Sequence, residues 1–444
     1  MNSRREFTGE RLAAVGASPG TSPPWMHAMT LPHGPVPPTS ATPANQSSSL
    51  NPDSPGERIA AAISHWDALG VHRTGSDVDT QTAQWLCAKA AEYGAEAHLE
   101  AFPFRRRTVI RAAIELANGT ALEGVPAFDG GSTGDNGLVA PLGDAQGGIP
   151  IMRVPPFDAL PGARSLEDAR HSGLHAAIIA VTDDRTVMPG LALLNAESWH
   201  APYGPPVLQL PSTALAALAA AQAAGSGTDG KAEGAEARLD LRFEIEAVTA
   251  FNVHAQVRGR DPSLAPVVVI TPRSGWWHAT SERGGGIAIW LDLIAHLASM
   301  QPLRTVIFSA NTGHELGHLG MQRFLDENEA LVAGAHGWLH LGANIAASSR
   351  PQLRLQASDA DMMALADAAL SRHGAPPMVR TDVTSAPFGE ARDIHAGGGR
   401  FISMVGGNGV FHQPSDRWPD MVDLARTLDI ALAFREMLDA LAYR

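Results

Sequence analysis

The sequence predicts an α/β fold with a mostly parallel sheet, broken by an inserted β-rich segment, and three observations carry that prediction. From Phe251 onward, strand-like and helix-like runs alternate. The run Pro266-Val267-Val268-Val269-Ile270 is apolar without a break, as expected in the middle of a sheet covered on both faces. Between about residues 118 and 245 the chain changes to short strands, Gly-rich turns and small residues. Length agrees: 444 residues exceed one ordinary core, so two folded units or one large domain with an insertion are expected.

Composition narrows the partners. The net charge of −13 argues against nucleic acid or an anionic membrane surface, and no apolar run has the length of a membrane span. A single cysteine, Cys87, excludes an intramolecular disulfide and a cysteine metal site, which leaves His and carboxylates as ligands.

In chain order, Ser3-Arg4-Arg5-Glu6-Phe7 ahead of Leu12-Ala13-Ala14-Val15-Gly16-Ala17 looks like a twin-arginine export signal. The alternative is a plain tail on a cytoplasmic protein. Residues 1–54, rich in Pro, Ser and Gly, read as that tail. Ile59, Ile63 and Trp66 have helical spacing, Thr80 to Tyr93 reads as a second helix, and Ala95–Phe104 and Thr108–Leu116 read as two strands. Residues 118–245 are read as an inserted domain, and 55–117 with 246–444 as the main one. In the insertion Ala176–Val181 and Pro206–Leu210 are strand candidates and Thr213–Ala224 a helix. Beyond it come strands Phe251–Arg258 and Pro266–Ile270, helix Ile287–Met300, strand Thr305–Ala310, a helix opening at His314, and strand Gly337–Leu341. Helix Met362–His373, strand Phe401–Val405 and helix Met421–Tyr443 close the chain.

The densest ligand chemistry is His314-Glu315-Leu316-Gly317-His318, which matches the H-E-x-x-H pattern in which two His on one helical face bind zinc. The longer metzincin form fails at Met321 and Phe324. Gly130-Gly131-Ser132-Thr133-Gly134 and Gly16-Ala17-Ser18-Pro19-Gly20 fit the nucleophile-elbow pattern but lack its strand and helix flanks, so chance explains them.

Four landmarks in unbroken order, His72-Arg73-Thr74-Gly75-Ser76, Phe251-Asn252-Val253, Gly313 to Gly320 and Phe411-His412-Gln413-Pro414-Ser415-Asp416, give a second reading. Over some 380 residues the chain resembles the zinc aminopeptidase family, the co-catalytic metallo-exopeptidases that include glutamate carboxypeptidase. The resemblance implies a three-layer sandwich with a mixed, mostly parallel central sheet, and an insertion similar to a protease-associated domain. It breaks at the metal positions. Thr271-Pro272-Arg273 replaces the family's His-x-Asp, and its bridging Asp falls on Ser281 or Glu282. The paired glutamates become His314 and Glu315, and the later ligand Asp falls near Gly342 beside His340.

What survives suggests a rebuilt site. Glu315, His412, His314 and His340 are the candidate ligands of one zinc or other divalent ion, and His314, Glu315 and Glu282 the candidate catalytic groups. Arg273, Arg283, Asn344 and Trp277 are candidate substrate contacts, the arginines for an anionic group. The expected function is hydrolysis of peptide or other amide bonds. Two alternatives stand beside it: a non-catalytic relative binding an acidic peptide or small molecule, and a metal-free hydrolase or lyase using His314 with Arg273 or Arg283. Plainer structural roles weigh against parts of this. His318 and His340 suit packing, Trp276-Trp277 buried bulk, Arg105-Arg106-Arg107 a solvated edge, and Glu282 with Arg283 a mutual ion pair.

Overall fold

The computed structural model describes residues 54–157, 160–224, 235–298, 300–376 and 378–443. The export-signal reading and the Gly16–Gly20 match lie outside these residues. Helix α1 (Pro55–Leu69) starts with Pro at its first position behind a Ser54 cap, and α2 (Asp77–Glu92) behind a Ser76 cap. Then follow β1 (Glu96–Leu116), β2 (Ala121–Glu123), β3 (Val125–Pro126), β4 (Leu138–Pro141), β5 (Ile151–Val154), α3 (Pro161–His171), β6 (Ile178–Thr182), β7 (Val207–Leu210), α4 (Leu215–Ala224) and β8 (Glu236–Val257). The remaining elements are β9 (Val267–Pro272), α5 (Gly285–Ala298), β10 (Val306–Asn311), α6 (Leu319–Glu327), α7 (Glu329–Gly334), β11 (Gly337–Leu341), β12 (Arg354–Ala357), α8 (Ala360–Arg372), β13 (Val379–Arg380), α9 (Ala391–Ala396), β14 (Phe401–Val405) and α10 (Leu424–Ala442).

The main sheet runs β13-β12-β14-β11-β9-β10-β8-β1-β2, with β4 also on β8. Its centre, β14-β11-β9-β10, is parallel, and β8, β1 and β12 join antiparallel. Helices cover both faces, making three layers. Val267 and Val269 of β9 pack with α1, α5, α8 and α10, whereas Val268 and Ile270 pack with α6 and α9. That two-sided burial is why β9 is apolar at every position. Among the described residues no helix is long and apolar enough to cross a membrane.

The two strands read at Ala95–Phe104 and Thr108–Leu116 are one strand, β1, and the strand read at Phe251 is the end of the 22-residue β8. Pro103 is tolerated because β1 has no second neighbour there, β2 covering only Ala113–Glu115. A second sheet, β3-β7-β6-β5, packs Ile179, Val181, Leu208 and Leu210 against Ile114 of β1 and Leu239 and Leu241 of β8.

Candidate functional site

The four central strands end at one edge, and the loops that follow β9, β10, β11 and β14 meet there, where open α/β sheets place their sites. All five described non-glycine residues with positive φ lie in these loops: Ala279, His318, Asn344, Arg350 and His412. Such backbone is held only where surroundings over-determine it. After Ala279, Thr280–Gly284 makes one wide π-helical turn, wholly buried, and leads into α5. The glycines here allow close approach: a Cβ on Gly285 would lie 2.6 Å from Ala346 Cβ, and one on Gly286 3.1 Å from Leu341 O.

A buried guanidinium occupies the centre. Arg283 Nη2 donates to Glu315 Oε1 at 2.8 Å and lies 2.9 Å from Glu282 Oε1, while its Nε donates to Ser274 O at 2.8 Å. Glu315 Oε2 accepts from the Ser274 hydroxyl at 2.7 Å, and Ser274 Oγ accepts the N–H groups of Gly313 and His314 at 2.9 and 3.1 Å. His412 Nδ1 donates to Leu193 O at 2.7 Å, and its Nε2 lies 3.3 Å from Glu282 Oε1. The chain between β6 and β7 lies across the site, since Ala196 N–H also donates to Glu315 O.

Burial and charge set the protonation states. Burial alone would raise Glu282, but Arg283 and then His412 outweigh it and hold the carboxyl below its usual value. Burial opposes the charged His412, yet Glu282 lifts the imidazole above its ordinary range. His314 Nδ1 lies 3.3 Å from Glu390 Oε1, and its ring stacks on His318 with centroids 4.8 Å apart. Burial, then Arg283 and the neighbouring histidines, push His314 well below the usual imidazole value, so it is neutral at pH 7. Glu390 is pushed up to about 7 by burial, against the opposing charges of His318 and Arg283. Asp416, also raised by burial to about 7, accepts from the Ser281 hydroxyl and the N–H groups of Ser281 and Glu282.

Of the residues singled out from sequence, Glu282, Arg283, Glu315 and His412 come together, with His314 beside them. His340, lowered to about 3 by burial, bonds Ser403 Oγ at 2.8 Å. Asn344 braces two loops, donating to Gly406 O and accepting from Asn408. Trp277 Nε1 donates to His412 O at 3.0 Å. Arg273 points away, into a buried pair with Asp79 at 2.8 Å and onto the carbonyls of Asp79 and Phe251. The anion-binding expectation for Arg273 therefore gives way to a structural one. Arg273→Met leaves Asp79 buried without its cation and is expected to cost about 3–5 kcal/mol in urea denaturation; a loss below about 1 kcal/mol would contradict that assignment.

The expected helix at His314 also differs. Residues 314–317 form turns, and α6 begins only at Leu319 after His318 adopts φ 57°. His314 and His318 consequently stack face to face instead of sharing the face of a well-formed helix, which removes the geometry of the H-E-x-x-H zinc motif. His318 instead bonds Asp393 at 2.7 Å. Ser274 and Glu390 were not singled out, and Asp416 entered only as the last residue of the landmark that begins at Phe411. Ser274 adjoined a marked residue, but Glu390 stands 76 positions from His314, with no spacing signal to join them.

The donor set does not fit a zinc ion. Zinc needs three or more free His, Cys or carboxylate donors. Here both Glu315 oxygens are committed to Arg283 and Ser274, Glu282 faces two cations, and a guanidinium stands among them. Among the described residues no group of three such side chains is arranged to hold an ion. Buried polar atoms without a hydrogen bond do remain: Glu282 Oε1, which lies at ion-pair distance but poorly aligned, and Arg283 Nη1, His340 Nε2, Glu390 Oε2 and His412 Nε2. They leave polar capacity that a bound ligand would meet.

No protein-family profile matches the chain. Among curated proteins, a vacuolar membrane protease of Vanderwaltozyma polyspora is 32% identical over 80 residues, 17% of this chain. The match spans only 8% of that relative's length. Solved structures agree over far more of the chain. A zinc aminopeptidase from Bacillus subtilis superposes with TM-score 0.70 at 15% identity, over 88% of this chain and 95% of its own. A peptidase M28 precursor from Shewanella amazonensis gives 0.68 at 16%, over 88% and 95%. An aminopeptidase from Aneurinibacillus sp. gives 0.64 at 15%, over 87% and 94%. The chain has the zinc exopeptidase fold of these peptidases.

Proposed function

We propose that this chain hydrolyses peptide or other amide bonds at the site around Arg283, with protein charges doing what a bound ion does in zinc peptidases. The observation that carries the reading is the Arg283 guanidinium held between Glu282 and Glu315, a fixed positive charge at the sheet edge. The likeness in fold to named peptidases supports amide hydrolysis as the reaction.

Amide hydrolysis needs a base for water, a donor for the carbonyl oxygen as it becomes an oxyanion, and an acid for the leaving nitrogen. Neutral His314 has a free imidazole lone pair at pH 7, and Glu390 beside it titrates near the same pH. In this reading Glu390 as carboxylate accepts the Nδ1 proton contact of His314, and His314 Nε2 takes a proton from water as its oxygen joins the carbonyl carbon. The same proton then passes to the amine as the C–N bond breaks. Arg283, with Nη1 unpaired, faces the negative charge that develops. The single-ion arrangement of Glu315, His412, His314 and His340 would require Arg283 to leave both carboxylates.

The test is turnover of a panel of aminoacyl and N-acyl peptide amides after exhaustive chelation, with metal content measured on the same sample. Activity persisting at substoichiometric metal is expected. Stoichiometric zinc together with activity lost on chelation would overturn the metal-free site. One further observation favours a non-catalytic relative: Glu315 is fully satisfied by Arg283 and Ser274. That reading predicts saturable binding without turnover.

A further inference from the structure

The chain carries a net charge of −13, yet a narrow cleft reaching Glu315 is lined by Arg73, Arg105, Arg106 and Arg107. Only Arg106 has a carboxylate partner, Glu246 at 2.5 Å. Among the described residues Arg73, Arg105 and Arg107 make no ion pair. Glu315, the acidic residue of the lining, is already spent on Arg283. Arg73 donates to Arg107 O and stacks 4.1 Å above the Phe128 ring, and Arg107 donates to the carbonyls of Phe128 and Gly130. These contacts fix the Arg73 and Arg107 guanidiniums in place, and Asp129 acts on Arg107 through its charge without an ion pair. Burial, and then the neighbouring Arg106 charge, lower Arg73 to about 10.

The surface on which Arg73 lies is aromatic. Phe128 and Trp276 stack with centroids 4.9 Å apart, and Phe104 packs on Trp199 at 5.1 Å. Trp276 is only 4% exposed, and its indole Nε1 is buried with no hydrogen-bond partner. A donor left unpaired beside guanidiniums that make no ion pair asks for an acceptor carrying negative charge. Arg105–Arg107, read from sequence as a solvated edge, is thus one wall of a pocket.

We propose that this cleft holds a carboxylate carried by the amide substrate, received among Arg73, Arg105 and the unpaired Trp276 indole that line it. Naming the occupant a substrate rests on the hydrolase reading above; the preference for a carboxylate does not. The arginines assigned to this task from sequence, Arg273 and Arg283, are each committed to buried carboxylates, and Arg73 and Arg105 take it over.

The test is equilibrium binding, followed by tryptophan fluorescence and calorimetry, of N-acetylglycine and of its uncharged primary amide to the full chain. The carboxylate is expected to bind about tenfold or more tightly than the amide at low salt, since a charged hydrogen-bonding partner is gained. That advantage is expected to narrow at high salt and to fall several-fold in Arg73→Gln and in Arg105→Gln. The second site is exposed, so its variant remains informative if the first misfolds. Equal affinity for the two probes, or an advantage that survives in a folded Arg105→Gln and Arg73→Gln, would overturn the proposal. Selective binding without turnover refutes hydrolysis alone, and turnover without charge preference refutes the cleft alone.

Discussion

Arg283→Leu is expected to lower the unfolding free energy by about 3–5 kcal/mol at pH 7.5, because it strands Glu282 and Glu315 in the interior without their shared cation. Against a total of about 5–15 kcal/mol for a folded domain, that is a large fraction. The wild-type pair also sets a pH dependence. Glu282 is held below its ordinary value, so the stability it contributes is present above the unfolded pKa and lost as pH falls through the folded one. In the variant that contribution is gone, and its deficit relative to wild type should shrink only as pH is lowered below the ordinary carboxylate value, toward about 3. Urea denaturation at both pH values checks this, with Arg283→Lys expected to fall between the two, since one ammonium cannot reach both carboxylates and the Ser274 carbonyl. A variant within about 1 kcal/mol of wild type at pH 7.5 would mean that the central charge is not holding the site together.

Glu390→Gln is expected to reduce turnover by about 10²–10⁴-fold, the usual weight of a group in the proton-transfer path. Glu390 is raised to about 7, so its carboxylate accumulates as pH rises through that value and wild-type activity should climb from pH 6 to 8. The variant has no such group and should lose that limb. Stability gives an independent readout with the opposite sense. A raised carboxyl contributes stability that is fully present below its unfolded pKa and lost as pH rises through the folded one. Glutamine cannot ionise, so Glu390→Gln should match wild type at pH 4 to 5 and exceed it at pH 8. An unchanged pH–rate profile would remove Glu390 and His314 from the mechanism together.

How much could be read from the chain alone depended on whether the deciding contact was local. The β9 run was legible because burial on both faces leaves no polar position, and β14 was read at Phe401–Val405, its observed limits. Glu282, Arg283, Glu315 and His412 were legible as residues at the ends of parallel strands. The unity of β1 was hidden by Pro103 and by Arg105–Arg107, which read as a break although β8 pairs straight through them. The late start of α6 was hidden because His314–Gly317 has helical composition but is held in turns by Ser274, 40 residues away. Glu390 and the Arg73–Trp276 cleft were illegible for the same reason: each joins segments that only the folded sheet brings together.

The β1–β8 hairpin has a consequence for how this molecule can be divided. At about 3.3 Å per residue its 21 and 22 residues span roughly 70 Å. One end is cemented into the main sheet through β10, and the other carries the second sheet, as a cantilever carries a platform. Excising residues 118–245 would remove the partner of 107–116 and leave Ile114 and Leu116 beside an open strand edge, a template for pairing with another copy. A shortened protein that stays monomeric would have to fold the ribbon back with a new turn joining facing positions, such as Phe104 and Val248.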